Sequence, residues 1–576
     1  SLRRTAYFVP PGGDLPYRSR PDMIAHLLLA SLSSAAPAAK GAPLSPAEKA
    51  AAAKVSAAAL EAHTRFLSHD LLEGRLPGTR GDELAVQYVA AQFRAYGLEP
   101  GGEDGTYFQK VPMVGIEVKP PPSVTFAGPA GSKPLAFAVG KDMVISSGNQ
   151  TGEAKVDAAE VVFVGYGIVA PEYQWDDFKD VDVKGKVLLV MNNDPSTDPA
   201  LFAGKTRLWY GRWDYKYEQA AKKGAAGVIL IHTTPSAAYP WTVVVSSWSG
   251  SEHFELPGNP GDPTLQARGW ATEDASRAIA RLGGQDLDQL RAAAEKRDFR
   301  PVPLGVKLSV SFRNDLRKLL SENVLGKVEG SDPKLRDQAV VFTAHHDHFG
   351  KKAGAPGEDT IYNGALDNAS GSAVLVELAR VLAAEKPKRS LLFVAVTAEE
   401  QGLLGSEWYC QHPTVPPGRM AANVNIDSVN KDGKTSDVGF IGFGKSSLDG
   451  VVEAVARAQG RAVKGDPFPD RGAFYRSDQF NFARRGVPAI YLRGGPTYVG
   501  RPAGFGEERA DEYIAKHYHQ PSDEVDASWS WDGVVEDTQL LLVSGLRIAN
   551  DARLPEWKPG DEFEAARKKA LAADAR

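Results

Sequence analysis

Cysteine is nearly absent: Cys410 is the only one in 576 residues. One thiol forms no intrachain disulfide and cannot build a thiolate-rich metal site. Its setting, Trp408-Tyr409-Cys410-Gln411-His412 after a helical stretch, reads as a packed core thiol rather than a nucleophile. Long apolar runs are missing too. The stretch Met23-Ile24-Ala25-His26-Leu27-Leu28-Leu29-Ala30 is too short to span a bilayer, so no membrane span is expected. Neither charge sign dominates: 67 Lys plus Arg stand against 72 Asp plus Glu, a net charge of −5, which gives no support to nucleic-acid binding. With 43% apolar and 24% charged residues the chain has an ordinary soluble, globular composition. Its length suggests about two to four domains, with ample chain for more than one core.

What is present divides into four stretches. Residues 1–44 read as a leader: the apolar run at Met23 passes through serines into Ala35-Ala36-Pro37-Ala38-Ala39, a small-residue stretch like a signal-cleavage region, with Arg3, Arg4, Arg18 and Arg20 upstream. This pattern leads us to expect a periplasmic or secreted protein, the alternative being an Ala/Pro-rich extension. Residues 46–70 read as one Ala-rich helix and 83–96 as a second, ending at Gly97. The period then shifts to strands, at 161–164, 187–191 and 227–231, with an amphipathic helix over 215–223. Two segments carry a resemblance here. Phe178 with Val183-Lys184-Gly185-Lys186-Val187, and Glu218-Gln219-Ala220-Ala221-Lys222-Lys223-Gly224-Ala225-Ala226-Gly227-Val228, resemble a protease-associated (PA) domain. Such domains are inserted modules that shape access to a site and carry no chemistry. The expected insert is 119–304, and the lone His232 and His253 within it are read as structural.

From 305 onward strands and helices alternate: strands at 339–344, 391–397, 424–426 and 489–492, helices at 372–384, 451–459 and 534–548. This alternation predicts an α/β fold, a sheet covered by helices on both faces. Ligand crevices in open α/β sheets lie beyond the carboxyl ends of the strands. There the sequence places His345-His346-Asp347-His348, then Asp367-Asn368, Glu399-Glu400, Asp427 and, further on, His519. Imidazole and carboxylate donors suit zinc. Two ions roughly 3.5–4 Å apart can share one water, lower its pKa and polarise a carbonyl. The residues alone do not separate Glu399 from Glu400.

Five segments together, Ala344 to His348, Gly364 to Gly371, Ala398 to Ser406, Asn425 to Asp427 and Tyr518 to Asp523, resemble the signature segments of M28 family zinc aminopeptidases, and they occur in the family's order. The resemblance implies a discontinuous peptidase domain, 45–118 with 305–560, built on a mixed, mostly parallel zinc-exopeptidase-like sheet, leaving 561–576 as a charged C-terminal tail. It implies two zinc ions per chain, one held by His345 and Asp427, the other by Glu400 and His519, with Asp367 bridging. It further implies that Glu399 is the general base, that Asp347 is the carboxylate behind His345, and that Tyr518 corresponds to a tyrosine which in some members donates to the tetrahedral oxyanion. His346 and His348 take no ligand role and are left as packing or supporting groups. The implied substrate is a peptide with a free N-terminus. Carboxypeptidase, dipeptidase or cyclase chemistry on the same fold is the alternative enzyme reading, and a non-catalytic receptor or scaffold the alternative of another class; oligomeric state stays open.

One competing motif is rejected. Gly439 to Ser446 satisfies the P-loop pattern, but Phe440, Ile441 and Phe443 are bulky apolar side chains that fit poorly in a loop whose amides cradle phosphate. Asn149-Gln150-Thr151 and Asn368-Ala369-Ser370 match the glycosylation pattern; the second reads instead as a helix-capping segment.

Overall fold

The computed structural model describes residues 43–574, except 122, 199–200, 238, 249–251 and 260. The leader reading over 1–44 therefore lies almost wholly outside the described residues. The chain from Gly41 onward forms one compact unit. No described helix is long and apolar enough to cross a membrane.

Where one helix was expected over 46–70 there are two, α1 (Pro46–Ala52) and α2 (Ala57–Leu67). The break is set by Ser56, whose hydroxyl caps the Ala59 amide and whose own N–H donates to the buried Glu377 carboxylate at 2.7 Å. A third helix, α3 (Arg80–Ala95), starts at Thr79, which caps the Asp82 amide, and ends before Gly97 at φ +79°. Strand β1 (Phe108–Lys119) follows.

The excursion after β1 is a separate layer with its own core. Its strands β2 (Glu153–Phe163), β3 (Val187–Met191), β4 (Gly227–His232) and β5 (Leu265–Thr272) pair in parallel in that order, with α4 (Trp213–Lys222) leading into β4 and α5 (Glu273–Leu282) following β5. The chain returns through one long strand, β6 (Val302–Val328). Its first part alternates strictly, Leu304, Val306, Leu308, Val310 and Phe312 pointing into the core of the excursion, and pairs with β2. Its second part pairs with β1 from Arg313 to Val324. The boundary expected at 304/305 thus falls inside a continuous strand.

The second layer carries β7 (Ala339–His345), α6 (Ser370–Leu382), β8 (Ser390–Val396), α7 (Leu404–Gln411), β9 (Met420–Asn425), β10 (Asp437–Phe440), α8 (Leu448–Ala458), β11 (Ala489–Gly494), α9 (Phe505–Lys516) and α10 (Trp531–Asn550). The strand order is β1-β6-β8-β7-β9-β11-β10. The central β8-β7-β9-β11 pairs are parallel and the outer pairs antiparallel, so the sheet is mixed with a parallel centre. Apolar clusters cover both faces, one around Val340, Phe342 and Phe393 beneath α6 and α10, the other around Val341, Val394 and Tyr409 beneath α7. Central parallel strands buried on both faces are expected to be continuously apolar, and β7 and β8 are.

The segment 561–576, expected as a charged tail, instead forms α11 (Glu564–Asp574). Arg567 explains the docking: 2% exposed, its guanidinium donates to the Met420 and Pro417 carbonyls at 3.0 and 3.2 Å. The P-loop-like segment has its amides engaged within the fold: Ile441 N–H donates to the Tyr491 carbonyl, Gly444 N–H to Asp449, and the Lys445 ammonium pairs with Asp561 and Glu562. Neither glycosylation pattern is accessible, since Asn149 and Asn368 are both buried.

Candidate metal centre

The parallel strands deliver the site residues to one edge. β7 ends in His345 through His348, β8 runs out at Val396 just before Glu399 and Glu400, and β9 runs out just before Asp427. Asp367 lies in an irregular turn leading into α6, and His519 follows α9. Left-handed backbone surrounds them: Ala398, Ser428 and His519 have φ of +54°, +71° and +57°. Such conformations are costly for residues with a Cβ and concentrate where a side chain must be aimed.

The expected donors come together. Asp367 sits between two imidazoles, one oxygen 3.3 Å from His345 Nε2 and the other 3.4 Å from His519 Nε2. His345 Nε2 is 3.9 Å from Asp427, and His519 Nε2 is 3.2 Å from Glu400. The donor atoms of His345, Asp367 and Asp427 all lie within 4.8 Å of one another, as do those of His345, Glu399 and Glu400 and those of His348, Asp367 and Glu400, the last group bringing in His348, expected from the sequence to take no ligand role. The two adjacent glutamates lie by different imidazoles: Glu400 is 3.2 Å from His519 Nε2, and Glu399 is 3.9 Å from His345 Nε2, the same distance as Asp427.

The electrostatics are those of a cation site. His345 is fully buried, which opposes its protonated form, yet Glu399, Asp347, Asp367 and Asp427 hold its pKa well above the usual imidazole value. Burial also opposes protonation of His519, and Glu400 and Asp367 nevertheless raise its pKa to about 9. Burial, then the neighbouring Glu400 and Asp427, push Glu399 well above the carboxylate range. Both His345 ring nitrogens and His519 Nε2 are buried without a hydrogen-bond partner. Orphaned nitrogens facing a shared carboxylate are what two divalent ions would satisfy, so the donor set fits two metals.

Supporting contacts explain why the donors hold these positions. Asp347 accepts the Glu399 and Glu400 N–H groups at 3.0 and 3.3 Å while standing 3.6 Å from His345 Nδ1. His348 Nδ1 lies 2.7 Å from Glu400, and His346 Nε2 lies 3.1 Å from Asp82. Asp523 accepts the Leu366 and Asp367 amides at 3.1 Å each. The Asn368 side chain donates to the Ile426 carbonyl and accepts from the Gly371 amide, tying the Asp367 turn to the end of β9. Tyr518 stacks on His519 with ring centroids 3.7 Å apart.

Two supporting residues had no assigned role in the sequence. Asp523 stands in the last signature segment, where its position was the only signal. Arg75 gave none. It follows Gly74, whose φ is +71° and where a Cβ would meet the Gly350 and Tyr362 carbonyls at 2.5 and 2.6 Å, so the tight turn admits only glycine. From there the Arg75 side chain runs, fully buried, to the backbone carbonyls around the site.

Residues 323–543 match the sequence profile of Peptidase family M28. Over that segment the chain is similar to the peptidases of family M28. Among curated relatives, the mouse protein "Aminopeptidase NAALADL1" is 24% identical over 408 residues, 60% of this chain and 50% of that protein. "Aminopeptidase YwaD" of Bacillus subtilis (strain 168) is 25% identical over 62% of this chain and 63% of its own length. A "Probable zinc metalloprotease" of Pyrenophora tritici-repentis is 30% identical over 35% of this chain and 44% of its own length. The chain thus spans about half or less of the first curated relatives it matches. The solved "Aminopeptidase from Aneurinibacillus sp. strain AM-1" superposes with a TM-score of 0.51 at 22% identity, covering 88% of this chain and 97% of that one. That likeness concerns the fold, and it reaches well beyond the M28 segment into the excursion between β1 and β6.

Proposed function

We propose that the protein is a two-zinc aminopeptidase. The observation that carries this is the placing of Asp367 between His345 and His519 at 3.3 and 3.4 Å, with Asp427 on one side and Glu400 on the other. In this reading His345 and Asp427 hold one zinc, Glu400 and His519 the second, and Asp367 both. The relatives named above, aminopeptidases and a zinc metalloprotease, support the choice of metal and reaction. Bound zinc supplies Lewis acidity to the scissile carbonyl and lowers the pKa of water.

The chain's own residues do the rest. Glu399, whose pKa burial raises well above the usual carboxylate value, takes the proton of the attacking water and returns it to the leaving amine. Asp347 fixes the His345 ring and, through the 399 and 400 amides, the aim of the base. Tyr518, held neutral because burial raises its pKa, donates its hydroxyl to the oxyanion. The carboxylates about the second zinc attract a free α-ammonium group, which favours N-terminal residues.

The excursion over 119–304 we read as a PA-like module that walls the cleft. Trp209 lies against Phe480 with ring centroids 4.6 Å apart, and the Arg207 amide donates to the Pro469 carbonyl at 3.0 Å, so loops of the two layers meet beside the site. We further propose export, supported by the apolar run at Met23 and the small residues after it; Edman sequencing of protein recovered from periplasm and medium tests it.

Metal analysis and a substrate panel test the enzymatic reading together. Two zinc ions per chain are expected, with hydrolysis of aminoacyl p-nitroanilides that chelator abolishes and zinc restores. Equal turnover of N-blocked substrates rules out an aminopeptidase, and chelator-insensitive turnover by metal-free protein rules out the zinc mechanism.

A further inference from the structure

Two arginines flank the metal centre. Arg493 ends β11, which pairs in parallel with β9 at Asn425↔Tyr491; continuing that register sets Arg493 beside Asp427. It also lines a small cavity with Ile426 and Ser428, the neighbours of Asp427. Its guanidinium donates to the Tyr491 hydroxyl at 2.7 and 3.1 Å. Arg476 stands in a loop pinned to the same strand end, since the Asn425 side chain donates to both Ser477 and Gln479 at 2.8 Å. Its charge is felt by the phenols of Tyr518 and of Tyr239, the latter contributed by the excursion.

Both arginines are solvent-exposed. Neither makes an ion pair among the described residues. Of the acids that feel Arg493, Asp427 is committed to the metal site and Asp466 instead accepts the Phe468 amide. The groups that feel Arg476 are the phenols of Tyr518 and Tyr239 and two further guanidiniums, Arg493 and Arg207. Two divalent ions would draw on Asp427, the carboxylate that Arg493 feels most strongly, and so leave that guanidinium free for an incoming anion. An uncompensated pair of cations in a cleft is a recognition element for an anion.

We propose that Arg476 and Arg493 select substrates bearing a carboxylate near the scissile bond, either the side chain of an N-terminal Asp or Glu or the free C-terminus of a di- or tripeptide. This rests on the aminopeptidase reading. The full-length zinc-loaded protein and its Arg476→Gln, Arg493→Gln and Arg476→Lys variants are assayed on two matched pairs: Glu- against Gln-p-nitroanilide, and Leu-Leu against Leu-Leu-amide. The wild type prefers the anionic member of one pair, and which pair it is identifies the source of the carboxylate. Either Gln substitution lowers that preference by roughly tenfold to a hundredfold, mostly through KM, as expected for losing a charge-assisted hydrogen bond. Arg476→Lys keeps part of it. Calorimetric titration of glutarate against glutaramide reads the same selectivity without turnover. A wild type indifferent to both pairs, or variants that lose anionic and neutral substrates equally, overturns the proposal while leaving the aminopeptidase standing. A wild type that hydrolyses neither pair and binds no zinc overturns both.

Discussion

Replacing Arg75 by methionine probes how the metal centre is held in shape. The guanidinium donates to four buried carbonyls: Leu67, His346 at 2.6 Å, Asn363 at 2.7 Å and Gly364 at 3.1 Å. It thereby clamps the β7 exit that bears His345 to the turn that bears Asp367. Burial lowers its pKa to about 10, leaving it charged at neutral pH. Hydrogen bonds from a charged group contribute about 1.5–3 kcal/mol each, and an abandoned buried acceptor costs about 1–3 kcal/mol. Simple addition overstates the loss, because the shorter side chain leaves room for water to reach some of the carbonyls. The expected destabilisation is therefore about 3–5 kcal/mol, comparable with breaking a buried ion pair by removing one partner. Urea unfolding reads the loss, and hydrogen exchange over 363–369 reads the clamp, with those amides deprotected more than the α8 core. Lysine at this position recovers only part, since an ammonium cannot span four carbonyls. A change below about 1 kcal/mol with unaltered exchange at 363–369 would refute the clamp.

Three further outcomes follow from the same geometry. Glu399→Gln retains two zinc ions while kcat falls roughly a hundredfold to ten-thousandfold, the range for losing a general base; loss of one zinc instead would mean that Glu399 and Glu400 exchange roles. Asp347→Asn, which weakens the hold on both His345 and the 399–400 amides, lowers zinc affinity or kcat about tenfold to a hundredfold, measured by competition with a calibrated chelator. In the excursion, burial disfavours ionised Glu255, but Arg268 at 2.5 Å and His253 outweigh it and lower its pKa from the usual 4.5 to about 2. A carboxylate with a depressed folded-state pKa stabilises fully above its unfolded pKa and loses that contribution as pH falls through the folded one. Wild type should thus exceed Glu255→Gln by on the order of 3 kcal/mol at neutral pH, the gap closing between about pH 4.5 and 2; a gap independent of pH would count against the pair.

Particular residues show how far the sequence could be read. His345, Glu399 and Asp427 were legible because each lies just beyond a short apolar run, and a parallel strand buried on both faces must end where its apolar run ends. The break at Ser56 was not, because it depends on Glu377, a residue 321 positions away that receives the Ser56 amide. Nor was the docking of 561–576, which reads as polar tail until the Met420 and Pro417 carbonyls are brought beneath Arg567.

By itself the sequence supplied the candidate donors, their order along the chain and the α/β alternation that carries them, since these depend on residue type and local periodicity. The tertiary structure decided the matters that depend on direction. Left-handed backbone at Ala398 and His519, with Asp347 holding both the 399 and 400 amides, sets Glu399 by His345 and Glu400 by His519. The return of β6 through both layers brings the Arg207 amide to the Pro469 carbonyl. A side chain's type is written in its codon, but where it points is fixed by backbone and neighbours distant in sequence. Arg75, without a sequence motif and at the centre of four hydrogen bonds, is the plainest case.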